Sequence, residues 1–364
     1  MSTSCRPLFA PAWTLTLGLA LALIGGCRDQ TPVVTARFTA FDTPIDVSIV
    51  GVSRASADHA AKLLEEDFAI MDRAWHAWEP GPMGRVNQLL PTGEPFIAPP
   101  AILPLVRLSQ TLYDKSGGLF NPAIGHLNHL WGFHSADPKD RRLPDAREIG
   151  RLVAANPGMD DVHIDGLSLR SSNPAVDLDF SAITKGYGID LAVEHLRELG
   201  VRHAMVTAGA TVRVIGERSG QPWRITVRRP SGSGVLAVLQ LRGDESIATV
   251  ADYENSFVFE GRRYYLPLDP RTGYPATGAR SVTVIDSNAA TAEGAATALF
   301  IAGIEGWYEV ARRLGVPYVL LIDRAGTVVM NPAMAKRAAF FDKGQDFQVS
   351  PPLSDALDAD PSRR

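Results

Sequence analysis

The 364-residue sequence holds only two cysteines, Cys5 and Cys27, both close to its start, so the body of the chain can form no disulfide and offers no thiol nucleophile. It has no basic run longer than a few residues and a formal net charge of -4, which excludes the electrostatic footprint of a nucleic-acid binder. The usual catalytic signatures are missing too. There is no His-Glu-x-x-His, no Gly-x-Ser-x-Gly, no Walker loop and no Gly-x-Gly-x-x-Gly after a strand. His126 and His129 lie three apart, but with no third ligand nearby a hydrogen-bonding or surface role is favoured over a zinc site.

What is present is enough apolar material, 45% of residues, for a large core and a soluble globule. The N-terminus stands apart: Arg6 supplies a positive start, Leu15 to Ile24 a short apolar run, and Ile24-Gly25-Gly26-Cys27 follows. The run is too short for an ordinary spanning helix and matches an export signal, with a retained anchor as the alternative. The tetrapeptide resembles a bacterial lipobox, which implies a signal peptide over 1–26, lipidation of Cys27 and a tether over 27–34.

Alternation in Pro44 to Ile49 predicts a strand, and Leu64, Phe68, Met71 and Trp75 at helical spacing predict an amphipathic helix after it. Pro80 to Pro100 and Asp137 to Arg142 read as loops. A second helix is expected from Ile183 to Leu199, with Gly200 ending it. Strands are expected at 204–207, 223–227, 235–241, 281–285 and 317–322, with an alanine-rich helix from after 285 to about Leu314. The pattern predicts an α+β fold with one dominant domain over 35–345, mainly antiparallel sheets with packed helices, and a disordered tail over 346–364.

Four segments carry chemistry. Gly117-Gly118-Leu119-Phe120-Asn121-Pro122, followed by Leu130-Trp131-Gly132-Phe133, offers close backbone approach and aromatic walls, although such clusters are more often core. Val176 to Tyr187 runs from an acidic strand end into a helix start, where free N–H groups and Lys185 suit a phosphate and Asp179 or an exposed carbonyl suits a cation. The bland alternative there, a capping Ser181 and a solvated Lys185, is slightly favoured when the segment is taken alone. Leu268 to Pro275 is a dense turn of Asp, Pro and Gly, for which a plain turn and a part in the site are about equally favoured when it is taken alone. Glu293 and Thr297, four apart among alanines, share a helix face and offer hard oxygens to magnesium; alone, a surface glutamate with a back-bonded threonine is favoured.

Together and in this order the segments resemble the FAD:protein FMN transferase family, the ApbE-type or "thiamine biosynthesis" lipoproteins. The likeness runs from about Thr39 to Arg337 and includes Asn331-Pro332-Ala333-Met334-Ala335. It implies an FAD cleft in a single α+β domain, with magnesium held by the backbone oxygen of Ala182 and the side chains of Glu293 and Thr297. FAD contacts carry over to Phe41, Trp78, Leu119, Phe120, Asn121, Asp179, Lys185 and Pro267. The implied reaction joins FMN to a threonine or serine hydroxyl of an acceptor flavoprotein of a membrane electron-transfer system and releases AMP. The implied location is the periplasmic face of the inner membrane.

Several positions depart from the family pattern. Leu266 stands where a histidine, the candidate base, is usual, so no catalytic residue is assigned. Val250-Ala251 replaces Ser-Gly, Ala210-Thr211 replaces Gly-Asp, Phe41-Asp42 replaces Met-Gly, Asn121 replaces Asp, and Glu293 replaces a metal-binding Asp. These departures motivate a second expectation, a non-catalytic flavin-binding or assembly lipoprotein of the same fold.

Overall fold

The fold begins with a hairpin whose turn breaks a local rule. In the computed structural model, β1 (Val33–Ala40) pairs antiparallel with β2 (Thr43–Val50), and Phe41 and Asp42 between them both have φ 52°. Left-handed backbone at both central residues is what a two-residue hairpin requires, and glycine, asparagine or aspartate normally supplies it. Phe41 occupies it because its ring is held, stacked on Trp75 at 5.9 Å and edge-on to Phe68 at 6.0 Å. The structure describes residues 33–354 except 134, 136, 138, 140, 231, 232 and 343. The signal segment, Cys27 and nearly all of the expected tether therefore lie outside the described residues. Val33 and Val34, placed in that tether from sequence, instead open β1, where Val34 is buried.

α1 (Arg54–Trp75) is capped by Ser53 and buries the stripe read from its spacing, Leu64, Phe68, Met71 and Trp75. α2 (Pro82–Leu89) forms where a loop was expected. Pro82 sits in its first turn, where a missing N–H costs nothing, and Met83 and Val86 are buried. Next come β3 (Phe96–Ile97), α3 (Leu103–Ser116), α4 (Gly125–Leu130), α5 (Ala146–Ala154), β4 (Val162–Asp165) and β5 (Ser168–Ser171). α6 (Thr184–Glu198) follows, with Gly200 at φ 79° just after it.

The remaining strands are β6 (His203–Ala208), β7 (Thr211–Gly216), β8 (Trp223–Arg228), β9 (Val235–Leu241), β10 (Gly243–Ala251), β11 (Ser256–Phe259), β12 (Arg262–Tyr265) and β13 (Ser281–Asp286). α7 (Ala289–Leu314) is kinked at Gly303, whose backbone lies against Gly278. β14 (Tyr318–Ile322), β15 (Val328–Met330), α8 (Pro332–Ala335), β16 (Ala338–Phe340) and β17 (Phe347–Val349) complete the order.

Nine strands form the main sheet, β1-β2-β6-β7-β10-β13-β14-β15-β17, antiparallel except for the β15–β17 pair. Smaller sheets are β16-β9-β8, β3-β5-β4 and β11-β12. The α+β expectation holds. The domain nevertheless continues past 345, because β17 adds to the sheet and Leu353 is buried where a disordered tail was expected. Among the described residues no helix is long and apolar enough to cross a membrane.

One buried carboxylate fixes the two helices that matter most. Asp190 on α6 accepts the N–H groups of Ala289 and Ala290 in the first turn of α7 at 2.9 and 3.0 Å, and Arg213 Nη1 of β7 at 2.6 Å. Burial pushes the Asp190 carboxyl up against the opposing pull of those donors.

Candidate functional site

The site lies where α6 approaches α7. Gly186 is at the crossing, and a Cβ there would stand 2.6 Å from the carbonyl carbon and oxygen of Ala289, so only glycine allows the helices this close. Upstream, Asn87 clamps Leu178 with two hydrogen bonds of 2.9 Å, one donated to the Leu178 carbonyl and one accepted from its N–H. Asp179 then accepts from the Ser181 N–H at 2.9 Å and from Asn128 Nδ2 at 2.8 Å.

The first turn of α6 is irregular. In a regular helix the Gly186 N–H would return to the Ala182 carbonyl; here it donates to Glu293 Oε2 of α7 at 2.8 Å. Among the described residues no donor replaces it, which leaves the Ala182 carbonyl available. Ser181 does not cap the helix, whose N-cap position is Ile183 with no side-chain bond. Nor is Lys185 freely solvated: its Nζ lies 2.9 Å from Glu293 Oε1 and donates to the Ser181 carbonyl at 3.1 Å. Burial works against its positive charge, but Glu293, with help from Glu254 and Asp179, raises the lysine above its ordinary value.

Glu293 and Thr297 share one face of α7 as their spacing predicts, but both are buried rather than on the surface. Thr297 Oγ1 donates to the Glu293 carbonyl at 3.0 Å, so its proton is used and its oxygen can still accept or ligate.

Two cavities meet at this crossing. The smaller, about 140 Å³, is lined by Ala182, Glu293 and Thr297 together with Lys185, Asp179 and Pro267. Leu119, Phe120 and Asn121 form another part of its wall. The larger, about 820 Å³, shares Asp179 and Lys185 and adds Phe41 and Trp78. Every FAD and metal residue expected from the resemblance thus lines at least one of two adjoining spaces. The departures from the family pattern line them as well: Thr211, Val250 and Ala251 face the smaller cavity, and Ala210 and Leu266 face both.

Other expectations resolve as structural parts. Trp131 is fully buried, donates Nε1–H to the Gly273 carbonyl at 2.9 Å and packs on Tyr264; Phe133 alone of that aromatic pair reaches a cavity. The Asp269 turn closes on itself, with the Asp269 carbonyl accepting from Gly273 N–H at 2.7 Å and its side chain gripping Arg271. Leu266-Pro267 before it is a cis peptide. His126 Nδ1 lies 3.4 Å from Asp177, and the His129 ring packs on Trp78 at 5.3 Å. Among the described residues no three acidic, histidine or cysteine groups gather as a metal cluster.

Glu254 was missed. It lines both cavities, three residues after the Val250-Ala251 departure. Burial pushes its carboxyl up to about 7, with Lys185 and Arg228 opposing the rise and Glu293 adding to it.

Residues 41–320 match the model of the ApbE family. The chain belongs to that family. A Rhodobacter capsulatus relative, named FAD:protein FMN transferase, is 38% identical over 335 residues; the match takes in 91% of this chain, which spans 64% of the length of that relative. A Vibrio cholerae relative of the same name is 30% identical over 85% of this chain and 93% of its own. The crystal structure of an ApbE protein from Thermotoga maritima superposes with a TM-score of 0.75 at 28% identity, covering 82% of this chain and 96% of that one. ApbE membership thus accounts for the joint occurrence of the four segments.

Proposed function

We propose that this chain is an FAD:protein FMN transferase that moves FMN from FAD onto a threonine or serine hydroxyl of an acceptor flavoprotein and releases AMP. The observation that carries this reading is the convergence of Ala182, Lys185, Glu293 and Thr297 on one cavity wall. The names of the Rhodobacter capsulatus and Vibrio cholerae relatives support it.

The donor set suits magnesium. It comprises one carboxylate, one carbonyl freed of its helical partner and one hydroxyl whose proton is used elsewhere, all hard oxygens, and magnesium is commonly held by one or two carboxylates together with substrate phosphates. Bound there, the ion supplies charge neutralisation to the pyrophosphate and its departing phosphate. Lys185 adds a fixed positive charge beside the same phosphates, already oriented by Glu293. Phe41 and Trp78 give the larger cavity flat faces for a ring system. The buried Asp190–Arg213 pair keeps α7, and so Glu293, in place.

The same reading has Cys27 lipidated after export, with the body tethered at the periplasmic face of the inner membrane and the acceptor belonging to a membrane electron-transfer system. The test is to incubate the full chain with FAD, Mg²⁺ and detergent-solubilised inner-membrane proteins. Flavin fluorescence that survives denaturation on a protein band, together with free AMP, is expected; intact FAD and no labelled band overturn the reading. A second reading, a non-catalytic flavin carrier, is favoured by Leu266, which faces both cavities and cannot take a proton. It predicts FAD that binds and stays intact.

A further inference from the structure

Three ionisable side chains, Asp179, Lys185 and Glu254, line both cavities. Two are committed. Asp179 uses one oxygen on the Ser181 N–H and the other on Asn128, and Lys185 is paired with Glu293. Glu254 differs: among the described residues nothing hydrogen-bonds or ion-pairs with its carboxylate, although Glu254 is partly buried. Its backbone is fixed, since its N–H donates to the Ala251 carbonyl at 3.1 Å and Leu266 N–H donates to the carbonyl of the next residue, Asn255, at 3.3 Å. A carboxylate held at the junction of two cavities with no structural partner is placed to exchange a proton with whatever enters them.

We propose that Glu254 is the proton acceptor for the incoming hydroxyl. The inference rests on the transferase reading. The hydroxyl oxygen forms a bond to the FMN phosphorus while the bond from that phosphorus to the AMP phosphate oxygen breaks; the electron pair leaves with AMP and the hydroxyl proton passes to a Glu254 oxygen. The charged groups around Glu254 are Lys185 from α6, Arg228 from the end of β8 and Glu293 from α7, with Tyr253 beside it in sequence. The carboxyl titrates near neutrality in that setting, which suits a base working at neutral pH.

The test compares the full-length wild type with Glu254→Gln, Glu254→Asp and Glu254→Gly, using FAD, Mg²⁺ and a random peptide library built around one central threonine. FAD binding is followed by flavin fluorescence, and turnover by AMP release. Support is turnover in Glu254→Gln lower by about 10² to 10⁴ with FAD affinity within about threefold, partial activity in Glu254→Asp, and rescue of Glu254→Gly by formate. Turnover of Glu254→Gln within about threefold of wild type overturns the assignment and leaves the transferase reading standing, as does loss of FAD binding, which makes Glu254 a binding residue. Absence of transfer by the wild type overturns the transferase reading and this assignment with it.

Discussion

Lys185 on α6 and Glu293 on α7 meet at 2.9 Å inside the protein, and the same carboxylate draws the Gly186 N–H away from the Ala182 carbonyl. One side chain therefore joins two helices, orients a lysine and frees a backbone oxygen. Glu293→Gln leaves Lys185 facing a neutral amide. Urea denaturation should show a loss of about 1 to 3 kcal/mol, below the range for fully buried pairs because part of Lys185 still reaches solvent. Any rise in melting temperature with FAD that depends on Mg²⁺ should disappear.

Gly186→Ala should force the helices apart, since its Cβ would sit 2.6 to 2.7 Å from backbone atoms of Ala289 and Ala290. Overpacking of this kind costs about 1 to 3 kcal/mol. Gly150→Ala on α5 is the control: nothing lies within 4 Å of its Cβ, so a gain of about 0.5 to 1 kcal/mol is expected. Chemical denaturation of both variants checks the pair.

Asp190→Ala removes the acceptor for Arg213 and for two N–H groups of α7. Both members of the ion pair have only 7% of their side-chain surface exposed, so the loss should reach about 3 to 5 kcal/mol. FAD affinity should fall with it, because the first turn of α7 loses its anchor one helical turn before Glu293. Equilibrium unfolding and fluorescence titration measure the two effects.

Glu254 predicts a stability change with a definite sign. Its folded value, about 7, lies above the ordinary 4.5, so the fold favours the protonated form. That contribution is complete below pH 4.5 and is lost as pH rises through 7. Without added metal, Glu254→Gln should match the wild type near pH 4 and exceed it by about 1 to 3 kcal/mol near pH 8. Denaturation curves at the two pH values decide this; a gap that does not grow with pH contradicts it.

Much of this architecture was legible because the informative patterns are local. The stripe of Leu64, Phe68, Met71 and Trp75 gave α1, and Gly200 marked the end of α6 within a residue. β7 was hidden because five of its six residues are buried, which removes the alternation that marks a half-exposed strand. α2 was masked by the glycines and prolines around it, although Pro82 is well suited to a first turn. At the site, the four segments supplied the residue types, but the contact from Gly186 to Glu293 spans 107 positions and no local pattern encodes it. Glu254 was overlooked for a related reason: a single acidic residue in the turn between β10 and β11 acquires its meaning only from the cavities around it.

The central claim is that Ala182, Glu293 and Thr297 hold a divalent ion against the phosphates of FAD. Phosphorus NMR of FAD bound to the protein, with Mn²⁺ in place of Mg²⁺, tests it most directly. Strong broadening of both FAD phosphorus signals is predicted for the wild type, and its loss in Glu293→Ala under conditions where FAD stays bound. Broadening that is absent in the wild type, or unchanged in Glu293→Ala, contradicts the claim.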